Sequence, residues 1–435
     1  MQTDPHPKIF SLWLALGIVF FGAMVAVKDI NTDALSNDEL RSIIVTGGAH
    51  HGPLAYPQEV IQRVLDQSPD QALGFPLIAR PWGDLVGWSE FALRWLPMCL
   101  GLLTIAMVYR VGADLFNYRI GLAAAFLLVG SAFFALFMHK FRVYTASTLA
   151  TVVVIWAYQR LVFHPTQADW RASLAFVGGG IGLFYSHYFA PPIAIGIGLY
   201  HLFFAPRVRW WRPVLLACVV ALCFVPAIPG LLTGIQFNLE KDFLQQQQEL
   251  TPTQIVGVLA HYFSNGSPMF FWIILIVAIW QLRHTPRTHP IWLLFFVFVG
   301  GLLTMIGINA MTEIFIATRV RYLLVLWIPL VLIFAYTIVS TTTFRQWLPA
   351  ALIVSYMVLG GQNIRTGNLI ADLGGDDGPV RDWRTPLQTV QQRFAPGDML
   401  LMIGDNSSQY GHYTHGLVAA RTSRLMKMQS PNCHN

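Results

Sequence analysis

From its first turns the chain keeps returning to apolar runs of bilayer length, and no other feature restricts its fold so tightly. The first such run, SLWLALGIVFFGAMVAV, covers residues 11–27. A helix needs about 20 mostly apolar residues to cross the hydrocarbon core, because its backbone polar groups must be satisfied within the segment. Candidate spans lie near 9–27, 92–110, 119–138, 144–163, 171–186, 188–204, 213–233, 269–282, 290–309, 322–340 and 346–360, about eleven in all. The composition agrees. Charged residues make up 11% of the chain, against about 25% in a soluble domain. The expected fold class is therefore an all-α polytopic membrane protein.

The first run is read as a retained anchor. Ala23-Met-Val-Ala26 is faintly cleavage-like, but Lys8 is its only preceding positive residue and the run exceeds a signal core. Alternating the spans from a cytoplasmic N-terminus sorts the charges. The inner loops hold Arg110, Arg119, Arg160, Arg171, Arg207, Arg209, Arg212, Arg283, Arg287 and Arg345, while the outer loop 28–90 is rich in Asp and Glu. This is the positive-inside pattern, expected of a multi-pass protein of the plasma (inner) membrane. Residues 1–360 form the expected membrane domain, with outer loops at 28–90 and 234–268. Residues 361–435 form an outer tail, in which a helix at 386–394 and a strand at 399–404 read as a small α/β-like unit.

The net charge of +6 lacks a basic cluster with interleaved aromatics, so nucleic acid is not an expected partner. Cys99, Cys218, Cys223 and Cys433 show no disulfide framework and no zinc spacing. The spans are almost free of ionisable groups, His201 being the main exception. Proton-coupled transporters need such groups inside the membrane. Here the chemistry-bearing residues gather where outer loops meet the bilayer, the level at which a lipid headgroup is handled.

Ser36-Asn-Asp-Glu-Leu-Arg-Ser42 follows the first span closely. On one reading Ser36 caps a helix start with Asp38 and Glu39 in its first turn, an ordinary use of acids against the helix dipole. The other reading makes Asp38, with Glu39 beside it, a general base for a hydroxyl or amine acceptor, and Arg41 a substrate contact. His139-Lys-Phe-Arg-Val-Tyr144 is open to two readings as well. Arg142 and Tyr144 are either interface anchors or a fork and a hydroxyl for a phosphate. A second cluster, Thr318-Arg-Val-Arg-Tyr322, favours the phosphate, because Arg321 and Tyr322 also lie on the outer face, against the charge trend. His187 sits in a tight outer turn, as an interfacial polar residue or a phosphate or sugar contact. His50 and His51 lack a nearby carboxylate, so no metal site is expected there and they stand only as substrate contacts. Tyr56 and Trp82 either stack on a sugar or belong to the aromatic belt. Val60, Ile61, Val64 and Leu65 recur at helical spacing, so 57–66 is expected to be an amphipathic helix in the interface plane.

These residues, in this order and topology, resemble the GT-C superfamily of polytopic glycosyltransferases. The likeness is to the bacterial branch related to protein O-mannosyltransferases, aminoarabinose lipid A transferases and lipopolysaccharide galacturonosyltransferases. It rests on Asp38-Glu39, on Trp82-Gly-Asp-Leu-Val-Gly-Trp-Ser-Glu-Phe-Ala-Leu-Arg94, on Arg142-Val-Tyr144, on His187-Tyr188 and on Arg321-Tyr322. The tail's Asp382-Trp-Arg384 and Pro396-Gly-Asp398 are similar too. Two positions depart from the pattern. Relatives carry His-Pro-Pro-Leu where this chain reads Gly74-Phe-Pro-Leu77, and a glutamate where it has Lys140. The resemblance implies outer amphipathic helices roofing the site, a polyprenyl-phosphate-linked sugar as donor and an envelope lipid, glycan or protein as acceptor. It implies inversion at the anomeric carbon with Asp38 as base, and Arg142, Tyr144, His187 and Arg321 on the departing phosphate. No cofactor is required, and a divalent metal is optional. The competing readings are a flippase or transporter of lipid-linked sugars, which would need broken spans or a repeat, and a scaffold without activity.

Overall fold

The computed structural model describes residues 6–28, 30–31, 34–48, 56–163, 170–189, 191–239, 250–312, 317–340, 347–371, 384–393, 400–401 and 420–421. Its first membrane-length helix is α1, His6–Lys28. Three short helices follow on the first loop: α2, Asn37–Val45, α3, Gln58–Gln67, and α4, Gly74–Val86. Next come α5, Glu90–Leu115, α6, Tyr118–Val129, α7, Ala132–Met138, α8, Tyr144–Phe163, α9, Trp170–Ser186, and α10, Pro191–Phe204. The chain continues through α11, Trp211–Phe224, α12, Ile228–Leu239, α13, Pro252–Tyr262, α14, Pro268–His284, and α15, Ile291–Thr312. A 3-10 segment, Ala317–Leu323, leads into α16, Leu324–Ser340, and α17, Leu348–Thr366, α18, Asn368–Ala371, and α19, Arg384–Arg393, complete the helices described.

Every candidate span falls on helix, but not every one on a single long helix. Among the described residues six helices are long and apolar enough to cross a membrane, or seven if one bent pair counts as a span. Pro191–Phe204 and Pro268–His284 are shorter apolar helices. The bent pair corrects the continuous helix expected at 119–138, since α6 and α7 meet at 68°. The break is built from polar groups. The Ser131 hydroxyl accepts from the Phe134 N–H and so caps α7. The Asn265 side chain accepts from the Ala132 N–H and donates to the Gly130 and Tyr356 carbonyls, satisfying the backbone that the bend exposes. Gly360 of α17 lies directly on the Gly130 carbonyl, an approach that any Cβ would block. By contrast, α9 runs unbroken through Gly178-Gly-Gly180.

Apolar character all round a helix marks it as buried or lipid-facing, and the structure separates the two. The segment Arg319–Ser340 has 83% of its apolar window inside the protein, whereas Trp211–Phe237 has 17%. α16 packs against α6, α8, α14 and α15, and α5 against α6 and α8. α1 leans on α5 and α6 but leaves Phe10, Trp13, Phe20 and Met24 exposed, as a lipid-facing surface requires.

The first loop sits on this bundle. α3 buries Val60 and Val64, while Ile61 is half-buried and Leu65 exposed, so the expected amphipathic stripe is realised in part. α4 begins at Gly74, where a Cβ would lie 2.6 Å from the Tyr185 carbonyl oxygen of α9. At this position, where the resemblance implied a histidine, a side chain would meet the Tyr185 backbone. In the tail, the helix expected at 386–394 is present as α19. Of the strand expected at 399–404, Leu400–Leu401 is described, paired in parallel with Ala420–Arg421.

Candidate functional site

The site starts with α2. Ser36 and Glu39 form a reciprocal capping box, the Ser36 hydroxyl accepting from the Glu39 N–H while Glu39 Oε2 accepts from the Ser36 N–H at 2.9 Å. Glu39 is fully buried and its carboxylate is heavily engaged. Arg94 Nε donates to Oε1 at 3.0 Å, Arg94 Nη2 to Oε2 at 3.1 Å, and the Phe141 N–H to Oε1 at 2.8 Å. Arg94 also donates to the Ile30 and Ala34 carbonyls. Burial alone would push the Glu39 carboxyl up. Arg94, Lys140 and the Phe141 N–H outweigh it and hold it down at about 2. Glu39 thus ties together the end of the first span, α5 and the turn between α7 and α8.

That turn, residues 139–143, places Arg142. Its Nη1 donates to the Asp38 carbonyl and to Ser42 Oγ, both at 2.9 Å, gripping α2 from the side. Its Nη2 lies 3.7 Å from Asp38 Oδ2. Arg321, from the 3-10 segment before α16, brings Nη2 to 2.8 Å from the same oxygen. The ion pair is close but poorly aligned, and Oδ2 makes no hydrogen bond of good geometry. Arg41 Nη1 stands 4.0 Å from Oδ1, while Arg41 Nη2 is committed to Asp70 and Ser68. Desolvation raises the Asp38 carboxyl, but Arg142, Arg321, Arg41 and Lys140 together drive it far below the usual carboxylate range. Burial works against the charge of Arg142, yet Asp38 and Tyr144 raise its pKa all the same.

Aromatic groups wall the arginines. The Arg321 guanidinium lies 5.9 Å from the Tyr144 ring centre and 5.8 Å from that of Tyr322. His187 packs 4.5 Å from Tyr322 and 6.0 Å from Tyr144, centre to centre. Burial, then the charges of Arg142, Arg321 and Arg319, push the His187 imidazole down to about 3, so it is neutral at ordinary pH. Its Nδ1 accepts from the Phe189 N–H at 3.0 Å, which leaves Nε2 as the ring N–H.

The structure therefore brings together Asp38, Arg41, Arg142, Tyr144, His187, Arg321 and Tyr322. Glu39 adjoins them, turned toward Arg94. Two other candidates are engaged elsewhere. Trp82 Nε1 donates to the Ala92 carbonyl at 3.0 Å, joining α4 to α5, and the exposed Tyr56 donates to the Leu77 carbonyl. His50 and His51 lie outside the described residues. His201 bonds Tyr158 through Nδ1 and packs on Trp210, away from this cluster. Sequence reasoning passed over Arg94, Lys140 and Ser42 as site residues. A signal for Arg94 existed, since an arginine just inside an apolar run needs a buried acid. Among the described residues no three of His, Cys, Asp and Glu converge as metal ligands.

Residues 70–232 match a family model described as dolichyl-phosphate-mannose-protein mannosyltransferase. No curated protein matches the chain. Among solved structures, ArnT of Cupriavidus metallidurans bound to undecaprenyl phosphate superposes with a TM-score of 0.60 at 12% identity, over 96% of this chain and 86% of that one. The oligosaccharyltransferase of Archaeoglobus fulgidus, in complex with Zn and sulfate, gives 0.57 at 13% identity, over 92% of this chain and 61% of that one. The same organism's AglB, with an inhibitory peptide and a dolichol-phosphate, gives 0.52 at 11% identity, over 93% of this chain and 64% of that one. The chain thus spans less than two thirds of the length of these archaeal oligosaccharyltransferases. A family match over residues 70–232, from the first loop into α12, and a fold similar to that of ArnT along nearly all of the chain are what it shares with these proteins.

Proposed function

We propose that the protein transfers a sugar from a polyprenyl-phosphate-linked donor to an envelope lipid, glycan or protein on the outer face of the plasma membrane, with inversion and with Asp38 as the base. The observation that carries this reading is the largely buried pair of cations, Arg142 and Arg321, that meets on the carboxylate of Asp38, with Lys140 acting on both Asp38 and Glu39. Buried charge of one sign calls for a counter-ion, and a lipid phosphate supplies it. The solved neighbours support the ligand class, being bound to undecaprenyl phosphate in one case and dolichol-phosphate in another.

In the transfer, an acceptor oxygen or nitrogen forms its bond to the anomeric carbon from the face opposite the phosphate. The carbon–oxygen bond to the phosphate breaks and its electron pair stays on the phosphate oxygen. The acceptor proton passes to Asp38. Charge that develops on the phosphate falls to Arg142 and Arg321, with Tyr144, Tyr322 and the His187 Nε2–H beside them, a fixed set of donors aimed at the leaving group. These cations perform the electrostatic task a metal would otherwise have, so transfer proceeds in a chelator. Glu39 acts by position, holding α2 against the Arg142 turn.

The test is sugar transfer in lipid nanodiscs with a panel of polyprenyl-phosphate sugars and extracted envelope acceptors. Asp38→Asn is expected to lower transfer by about a hundredfold or more while donor binding survives. Equal rates in variant and parent would remove Asp38 as the base. If neither consumes donor while lipid-linked sugar crosses the bilayer, the protein is a transporter.

A further inference from the structure

Asp38 occupies the position that an anionic ligand of the two arginines would take. Its Oδ2 lies in the fork between Arg321 Nη2, at 2.8 Å, and Arg142 Nη2, at 3.7 Å. The pairing is close without being aligned as a hydrogen bond. The rest of the surroundings is fixed independently. Arg142 Nη1 is anchored on the Asp38 carbonyl and Ser42. Arg41 is committed to Asp70, and Glu39 to Arg94 and the Phe141 N–H. α2 is thus clamped, and the Asp38 side chain occupies the fork. The sugar-linked phosphate is a diester with the single charge of a carboxylate, but its tetrahedral oxygens can each meet a different guanidinium group.

Resting on the donor-phosphate reading above, we propose that Asp38 and the donor phosphate compete for the same two arginines, so that donor binding unlatches Asp38 and the base is released only in a loaded site. In the empty site Asp38 is held as a weak base by Arg142, Arg321, Arg41 and Lys140, with neutral His187 and the charge of Arg319 behind them. When phosphate takes the arginines, it offsets part of their charge and the carboxylate beside the anomeric carbon becomes more basic. Acceptor activation then waits for donor, and an empty site does not activate water.

The experiment measures binding of undecaprenyl phosphate, without sugar, to the protein in nanodiscs. Asp38→Asn removes the internal competitor and is expected to bind about tenfold more tightly than the parent. Arg321→Gln and Arg142→Gln are expected to bind at least about tenfold more weakly. Weak binding by both arginine variants, with Asp38→Asn equal to or weaker than the parent, overturns the latch and leaves the donor site standing. Arginine variants that bind as the parent does overturn the donor site itself. Should Asp38→Asn fail to fold, an infrared difference spectrum of the unmutated protein decides. The Asp38 carboxylate band shifts on adding the lipid phosphate if the latch opens, and a flat carboxylate region refutes it.

Discussion

Asp38 and Glu39 are chain neighbours with opposite surroundings. Both are buried, yet Glu39 is matched donor for acceptor by Arg94 and two backbone N–H groups, while Asp38 meets arginines at poor angles. The sequence showed two acids after a cap and gave no means of telling them apart, because the difference lies in residues 55 and 102 positions further on, at Arg94 and Phe141. A prediction at this scale concerns acid. Glu39 falls from an ordinary 4.5 to about 2, and His187 from 6.5 to about 3. In each case the unfolded chain binds the proton first, so stability falls as pH falls. The loss begins below about pH 6.5 through His187 and steepens below about 4.5 as Glu39 joins it. Melting temperatures in nanodiscs between neutral pH and about pH 3 are expected to show both limbs, and His187→Gln to flatten the upper one.

Among the elements, helices were legible wherever a run was long and apolar, since periodicity and length decide them. The α6–α7 break was not legible. Gly130-Ser131 sits within an apolar run, and the residue that stabilises the bend, Asn265, lies far along the chain. Asn265 also adopts a left-handed backbone, φ 54°, which asparagine tolerates better than most side chains. Asn265→Ala leaves the Gly130 and Tyr356 carbonyls and the Ala132 N–H without this partner, and is expected to cost about 2–3 kcal/mol or more. Thermal melting is the measure, and Asn265→Asp, which sets a buried carboxylate against the two carbonyl oxygens, should fall at least as far. α19 adds a different contact. Arg384 reaches Glu90 at 3.3 Å and the Asn31 carbonyl at 3.1 Å, so a tail helix touches both the start of α5 and the loop before α2. Nothing in the local pattern of either segment announced that meeting.

For the whole molecule, charge arithmetic was the strongest guide. Arginines expected on the outer face ran against the positive-inside trend, and two of them, Arg142 and Arg321, share one carboxylate. The same trend predicts orientation. With the four native cysteines replaced by alanine, a cysteine at Leu65, on α3, should react with an impermeant maleimide in intact cells. One at Val208, which is 97% exposed beside Arg207 and Arg209, should react only after permeabilisation. The reverse pattern would turn the site to the cytoplasm. A last consequence follows from the central place of α16, and it concerns timing. This helix fills the middle of the bundle, yet the ribosome makes it after nearly all of its neighbours. The helices synthesised earlier must stand in the membrane with an unfilled groove until it emerges. Arg321 is made immediately before it, so the second arginine of the site arrives together with the helix that closes the bundle. A nascent chain that stalls before that point holds Asp38 and Arg142 without Arg321, so the candidate site is complete only once synthesis has reached α16.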